Sequence, residues 1–446
     1  MSRVFGRHNR KQLPVAVAAK GCWFTDQNGK QYLDACGGAA VSCLGHGDQD
    51  IIEATQRQLD SMAWAHTSFF SSEPAERLAD KLVEHAPEGI EHVYFVSGGS
   101  EATEAAIKLA RQYFVETGRP EKKHLIARRQ SYHGNTLGAL AAGGNQWRRA
   151  PFSPLLMPVS HIAPCYPYRE QRVDESAAEY ALRAANELEA EILRLGADNV
   201  MAFIAEPVVG ATVGALVPPT GYFQRIREIC DQYDVLLILD EVMCGMGRTG
   251  YLFASEADHI SPDIVCIAKG LGAGYQPIGA MLCSDEIYQA ITNGSGFFQH
   301  GHTYIAHPTA CAAALAVLEK LTQPQMMSSV MARGQYLFNQ LNQRLGAHPY
   351  VGDIRGRGLF WGVELVESKT TRAPFDSSLG LAAKVKAAAF ENGLMCYPMS
   401  GTIDGLNGDH VLLAPPFVIS EAELDLLVDR LEAAINQCTQ PLAQSA

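Results

Sequence analysis

From residue 91 to residue 280 the chain alternates two patterns: short apolar runs rich in β-branched residues, and longer stretches whose apolar residues recur at three and four. The runs at 92–96, 124–127, 201–205, 235–240 and 264–268 predict strands. Between them, Ala102, Ala105, Ala106, Leu109, Ala110 and Tyr113 form one helical face, and Ala181, Ala184, Ala185, Leu188, Ile192 and Leu195 form another. Strands and helices taken in turn are the signature of an α/β fold, in which a doubly wound, mainly parallel central sheet is flanked by helices.

Past a helix that begins near Pro308 the rhythm changes. Helices are expected at 331–345 and 379–392, the second ended by Gly393, with strands at 355–364 and around Val411. A last helix opens with Ser420 and Glu423 in a capping-box arrangement. This part reads as a smaller α+β domain. The first sixty or so residues, with a hairpin-like Asp26-Gln27-Asn28-Gly29, are compatible with either part.

Length supports that division, since 446 residues exceed what one hydrophobic core usually holds. Apolar residues make up 47% and charged residues 19%, a soluble globular profile. The net charge of −12 argues against nucleic acid as a partner, because phosphate backbones are bound by concentrated Lys and Arg. No run approaches the roughly 20 apolar residues of a membrane helix, and the start of the chain carries no apolar signal core, so a cytoplasmic location is expected. The 11 cysteines are scattered through apolar contexts, as reduced core thiols are.

Candidate chemistry sits where apolar runs end. Lys269 closes Ile264-Val265-Cys266-Ile267-Ala268 and opens Gly270-Leu271-Gly272-Ala273-Gly274. An ammonium at the end of a buried strand is costly unless it is paired or used as a nucleophile towards a carbonyl. Asp240 closes a similar run, at the end of a parallel strand where open α/β sheets place ligands. Ser97-Gly98-Gly99-Ser100 joins a strand to a helix, so that glycine admits an anion to the free helix-start amides. Lysine, aspartate and phosphate cup together read as pyridoxal phosphate chemistry, with Asp240 holding the pyridinium nitrogen protonated.

Val242 and Tyr132 are placed to cover the two faces of a planar cofactor, and Glu206, before Pro207, puts a further carboxylate at a strand end. Thr303 offers a hydroxyl to phosphate from a glycine-containing loop. Each of these alone also reads as a cap, a packing residue or a surface loop residue. His300 and His302 lack a carboxylate or cysteine at metal-site spacing, and no metal is expected.

In this order and spacing the residues resemble the class-III pyridoxal-phosphate-dependent aminotransferases, of fold type I. The most specific segment runs from Leu239-Asp240-Glu241-Val242 through Gly247-Arg248-Thr249-Gly250 and Pro262-Asp263-Ile264 to Ala268-Lys269-Gly270. The resemblance implies pyridoxal 5'-phosphate as cofactor and Lys269 as the Schiff-base lysine. It makes Asp240 the partner of the ring nitrogen, Val242 and Tyr132 the ring's neighbours, and Gly99 and Ser100 the phosphate turn. It also implies that Thr303 reaches the cofactor of a neighbouring subunit, hence a homodimer with shared active sites, with assembly beyond the dimer, such as a tetramer, left open. The expected division is 1–60 as an N-terminal segment packing with the small domain, 61–325 as the large cofactor-binding domain and 326–446 as the small domain.

Two departures matter. Gly98 stands where many relatives have Ser or Thr. Many ω-amino acid members also carry an arginine shortly before the segment matching Gly408-Asp409-His410, whereas Asp404-Gly405-Leu406-Asn407 has no cation. Arg355, Arg357, Arg128 and Arg129 are the candidate substitutes, and amines without a carboxylate are expected to react at least as well as matched ω-amino acids. Where amine-specific relatives place a tryptophan at the pocket entrance, this chain has Gly37-Gly38-Ala39-Ala40-Val41, with Trp64, His66, Phe69 and Phe70 as alternative walls.

The expected activity is transfer of an amino group from a primary amine or ω-amino compound to a 2-oxo acid such as pyruvate, with ping-pong kinetics through pyridoxamine phosphate. A lyase releasing ammonia or another leaving group, or an epimerase, would use the same lysine and aspartate. A non-catalytic cofactor-binding protein is the remoter alternative.

Overall fold

The computed structural model describes residues 3–8 and 10–443, so the extreme ends of the expected 1–60 and 326–446 segments lie outside the described residues. The chain opens with β1 (Ala16–Lys20), β2 (Trp23–Asp26) and β3 (Gln31–Asp34), an antiparallel meander. Its second turn is the hairpin read from Asp26-Gln27-Asn28-Gly29. Asp26 Oδ1 accepts from the amides of Asn28 at 2.8 Å and Lys30 at 3.0 Å, and Gly29 supplies a φ of +81°.

The central sheet contains β4 (Ile90–Val96), β5 (His124–Arg128), β6 (Ser160–Ile162), β7 (Val200–Ala205), β8 (Leu236–Asp240), β9 (Ile264–Ile267) and β10 (Gly279–Ser284), in the order β4-β10-β9-β8-β7-β5-β6. Strands β9, β8, β7, β5 and β6 pair in parallel, and only β10 runs against its neighbours. Every residue of β7, β8 and β9 is buried, which is why their sequences are continuous apolar runs. The helix Gly99–Glu116 covers one face with Ala102, Ala105, Ala106, Leu109, Ala110 and Tyr113. Helices Ala177–Leu195 and Tyr222–Gln232 cover the other.

A third, antiparallel sheet has the order β11-β12-β15-β14, formed by β11 (Val351–Arg357), β12 (Phe360–Leu365), β14 (Tyr397–Ser400) and β15 (Asp409–Leu413). The short β13 (Leu394–Met395) instead pairs in parallel with β3, joining the first strands to the last third of the chain. The single strand expected at 355–364 is a hairpin. Gly358, at φ +60°, reverses the chain where a Cβ would lie 2.5 Å from the carbonyl carbon of Thr249, and Trp361 Nε1 donates to its carbonyl at 2.7 Å. Helices Met326–Leu345, Leu381–Glu391 and Glu421–Ala443 complete this part, the last opening on the reciprocal Ser420 and Glu423 bonds expected there.

Among the described residues no helix is long and apolar enough to cross a membrane. Arg248, from the most specific family segment, is buried. It donates to the carbonyls of Leu359 and Pro415 and so ties three loops together.

Candidate functional site

The parallel strands end on one side of the sheet, and the chemistry-bearing residues are found there: the Ser97 turn after β4, Tyr132 and His133 after β5, Glu206 after β7, Asp240 closing β8 and Lys269 just past β9. Residues far apart in the chain meet because the sheet order sets β5, β7, β8 and β9 side by side.

Asp240 is 3% exposed, with both carboxylate oxygens engaged. Oδ1 accepts from the Val242 amide at 3.0 Å, and Oδ2 lies 2.7 Å from His133 Nδ1. An ionised carboxylate only accepts, so His133 carries its proton on Nδ1 and donates it. His133 Nε2 is buried with no partner among the described residues. Nothing in the sequence singled out this histidine beyond its place after Tyr132, since its acidic partner lies 107 positions away.

Lys269 is half-buried and adopts φ +43°, a conformation that L side chains avoid and that is concentrated at functional sites. Desolvation pushes its pKa below the ordinary lysine value, against the opposing pull of the Asp240 and Glu206 carboxylates. Glu206 is buried and clamps two loops, accepting from the amides of Tyr132 at 2.9 Å and Gly210 at 2.8 Å. Burial raises its pKa, and nearby Asp240 adds to the rise.

At the phosphate-type turn the helix Gly99–Glu116 begins without a side-chain cap, leaving its first amides for an anion. Ser100 Oγ accepts from the Asn135 amide at 3.0 Å. Gly99 packs so closely on Val242 that a Cβ there would lie 2.7 Å from Val242 Cγ1, which brings the cup and the expected ring neighbour together. A glycine cradle with free amides, a buried carboxylate and a desolvated lysine fit a planar, phosphorylated pyridine aldehyde. Thr303 lies in an exposed turn, and the next residue, Tyr304, lines a cavity that also includes Ser97 of the phosphate-type turn.

The candidate substitute cations are committed elsewhere. Arg355 forms ion pairs with Asp353 and Glu364, each at 2.7 Å, and donates to the Gly214 carbonyl at 3.0 Å. Arg128 is buried against the Glu206 carbonyl, Arg129 donates to the His161 carbonyl at 3.2 Å, and Arg357 faces Asp258 at 3.7 Å. A cation that sequence reading passed over is present instead: the Arg148 guanidinium lies over the Tyr132 ring, 4.6 Å from its centroid. Of the alternative wall residues, Trp64, Phe69 and Phe70 are exposed at 40%, 78% and 69%. Among the described residues no three metal-ligating side chains gather.

His410 braces the loop beside the site. Its Nε2 donates to the Ala211 carbonyl at 2.9 Å and its Nδ1 accepts from Thr402 Oγ1 at 2.7 Å, so the buried ring is satisfied only when neutral. Burial lowers its pKa from 6.5 to about 3. The unfolded chain therefore takes up a proton below pH 6.5 that the folded ring refuses until about pH 3, and stability that is complete above that window is lost progressively within it. Between pH 7 and 5 this residue alone should remove about 2 kcal/mol. His410→Gln should flatten the fall of the urea midpoint over that range, and an unchanged slope would count against this account.

Comparison with known proteins agrees in family. The family model described as aminotransferase class-III matches residues 5–435. An uncharacterized aminotransferase of Schizosaccharomyces pombe is 43% identical over 96% of this chain and 94% of its own length. Putrescine–pyruvate aminotransferase of Pseudomonas aeruginosa is 36% identical over 96% of this chain and 92% of its own. The crystal structure of a thermostable (S)-enantioselective omega-transaminase from Thermomicrobium roseum superimposes with a TM-score of 0.92 at 37% identity, covering 98% of this chain and 96% of that one.

Proposed function

Since the chain belongs to the class-III aminotransferase family, a pyridoxal-phosphate-dependent group of transferases, we propose that it moves the amino group of a primary amine or ω-amino compound to a 2-oxo acid such as pyruvate, in two half-reactions of ping-pong type. The observation that carries this reading is the desolvated Lys269 at a strand end under the influence of the buried Asp240 carboxylate, beside an uncapped helix start. When bound, the cofactor supplies an electron sink for charge left on a substrate carbon.

In this proposal Lys269 anchors the cofactor aldehyde. With its Nζ free, it would take the proton from the carbon bearing the substrate nitrogen, a task suited to an amine with a lowered pKa. Asp240, oriented by the His133 and Val242 donors, would face the ring nitrogen and hold its proton. Gly99 and Ser100 would offer amides to the phosphate, Val242 and Tyr132 would flank the ring, and Glu206 fixes the Tyr132 loop.

A homodimer with shared sites belongs to the same reading. Thr303 is exposed in a turn whose neighbour Tyr304 touches Trp64 at a ring separation of 6.0 Å, and this aromatic surface continues to Phe69 and Phe70. Eleven free cysteines, all but Cys438 buried, support a reducing compartment such as the cytoplasm.

The test is a half-reaction screen on holoprotein, following visible cofactor absorbance. Amines with and without a carboxylate should bleach it, and pyruvate or another 2-oxo acid should restore it. Steady product release from amines without any added 2-oxo acid would make the protein a lyase instead.

A further inference from the structure

A 2-oxo acid brings a carboxylate into a site whose walls already include the buried acids Asp240 and Glu206, so some cation must receive it. Apart from the exposed Arg7, which acts on Tyr132 electrostatically from the N-terminal segment, the cations around the strand ends are nearly all spent. Lys269 is reserved for the covalent chemistry, Arg128 and Arg355 are bound to backbone and carboxylate partners, and Arg149 donates to the carbonyls of Leu140, Ala141 and Gly143.

Arg148 differs from all of them. Its side chain makes no hydrogen bond and no ion pair among the described residues, and its Nε is buried without a partner. The guanidinium rests over the Tyr132 ring at 4.6 Å, with the Trp147 ring 5.7 Å away. Tyr132 is itself fixed by the hydrogen bond its amide donates to the Glu206 carboxylate, and the next residue, His133, holds Asp240. The cation is thus seated one aromatic ring from the reacting centre, and its charge contributes to lowering the pKa of Lys269.

The loop Asp404–Asn407 packs against the short helix Gln146–Arg149 that carries Arg148: a Cβ on Gly405 would lie 3.0 Å from the Trp147 amide nitrogen. Its one acid does not compete, because Asp404 accepts from the amides of Leu406 at 2.8 Å and Asn407 at 2.7 Å and from Asn407 Nδ2 at 2.7 Å. A guanidinium stacked on an aromatic face keeps its edge free for a carboxylate, with two parallel N–H donors.

We propose that Arg148 receives the carboxylate of the 2-oxo acid acceptor, held in position by the Tyr132 ring. The assignment rests on the transaminase reading above and names the residue by which that site admits an acid. A carboxylate-free amine has no use for this contact, so the two half-reactions should part company.

The experiment measures each half-reaction separately on wild-type, Arg148→Met and Arg148→Lys holoenzyme. The methionine keeps the apolar contact with Tyr132 and removes the charge. It should raise the pyruvate concentration needed for half-saturation about 30-fold, the loss expected for a charge-assisted pair, while slowing the reaction with a carboxylate-free amine at least tenfold less. The lysine keeps the charge without the fork and should recover part of the loss. As a readout without turnover, propionate should raise the melting temperature of the wild-type holoenzyme and not that of Arg148→Met.

Equal losses in both half-reactions would make Arg148 a structural support and overturn the proposal, as would an unchanged pyruvate half-saturation. A wild-type protein that reacts with amines but never with a 2-oxo acid would instead remove the transaminase reading, and this assignment with it.

Discussion

Lys269→Ala should lose the visible absorbance of the lysine-linked cofactor and at least about 10⁴-fold in turnover, because one substitution removes both the proposed covalent anchor and the proposed proton carrier. The fold should survive. Lys269 follows β9 on a glycine-rich stretch, and its ammonium is desolvated in the native state, so deleting it relieves a burial penalty and opens no large apolar cavity. Spectra and melting curves of the variant measure the two effects independently. Borohydride trapping of wild-type holoprotein followed by peptide mapping should place the label on Lys269. A label on another lysine, or an unchanged visible spectrum in the variant, would exclude the assigned linkage.

Asp240→Asn is expected to separate binding from chemistry. The variant should keep the aldehyde bound and coloured while losing about 10³-fold in proton transfer, since a neutral amide no longer holds the ring nitrogen protonated. It should also destabilise the protein. Asp240 accepts from both His133 Nδ1 and the Val242 amide, whereas asparagine offers one acceptor oxygen and an NH₂ group that faces one of those donors. If His133 moves its proton to Nε2 in response, that hydrogen meets a buried position with no acceptor among the described residues. Either arrangement leaves an unmet buried donor, which costs about 1–3 kcal/mol. Near-normal turnover would refute the electrostatic role, and unchanged stability would refute the tight coupling to His133.

The central sheet was legible because its strands are buried on both faces. The apolar runs at 201–205, 235–240 and 264–268 coincide with β7, β8 and β9 to within a residue at either end. The 3.6-residue periodicity of the flanking helices likewise matches the faces that are buried. Legibility fell where backbone conformation overrode the apolar pattern. Residues 355–364 were expected as one strand, yet Gly358 in a left-handed conformation makes them a hairpin. The antiparallel β10 was absent from the expected strands, and its insertion between β4 and β9 is settled by pairing partners far away in the chain.

The chain by itself determined which residue types stand at the strand ends: Lys269 after one buried run, Asp240 closing another, and a glycine-bearing turn before a helix. It did so because a strand's length, its burial and the break that follows are encoded by neighbours within a few positions. Which side chains those residues meet was decided by the tertiary structure alone. The His133 bond to Asp240, the seat of Arg148 on Tyr132 and the withdrawal of Arg355 into ion pairs all depend on the lateral order of the strands and the docking of loops. Contacts of that kind join segments at no fixed separation, so no local periodicity records them.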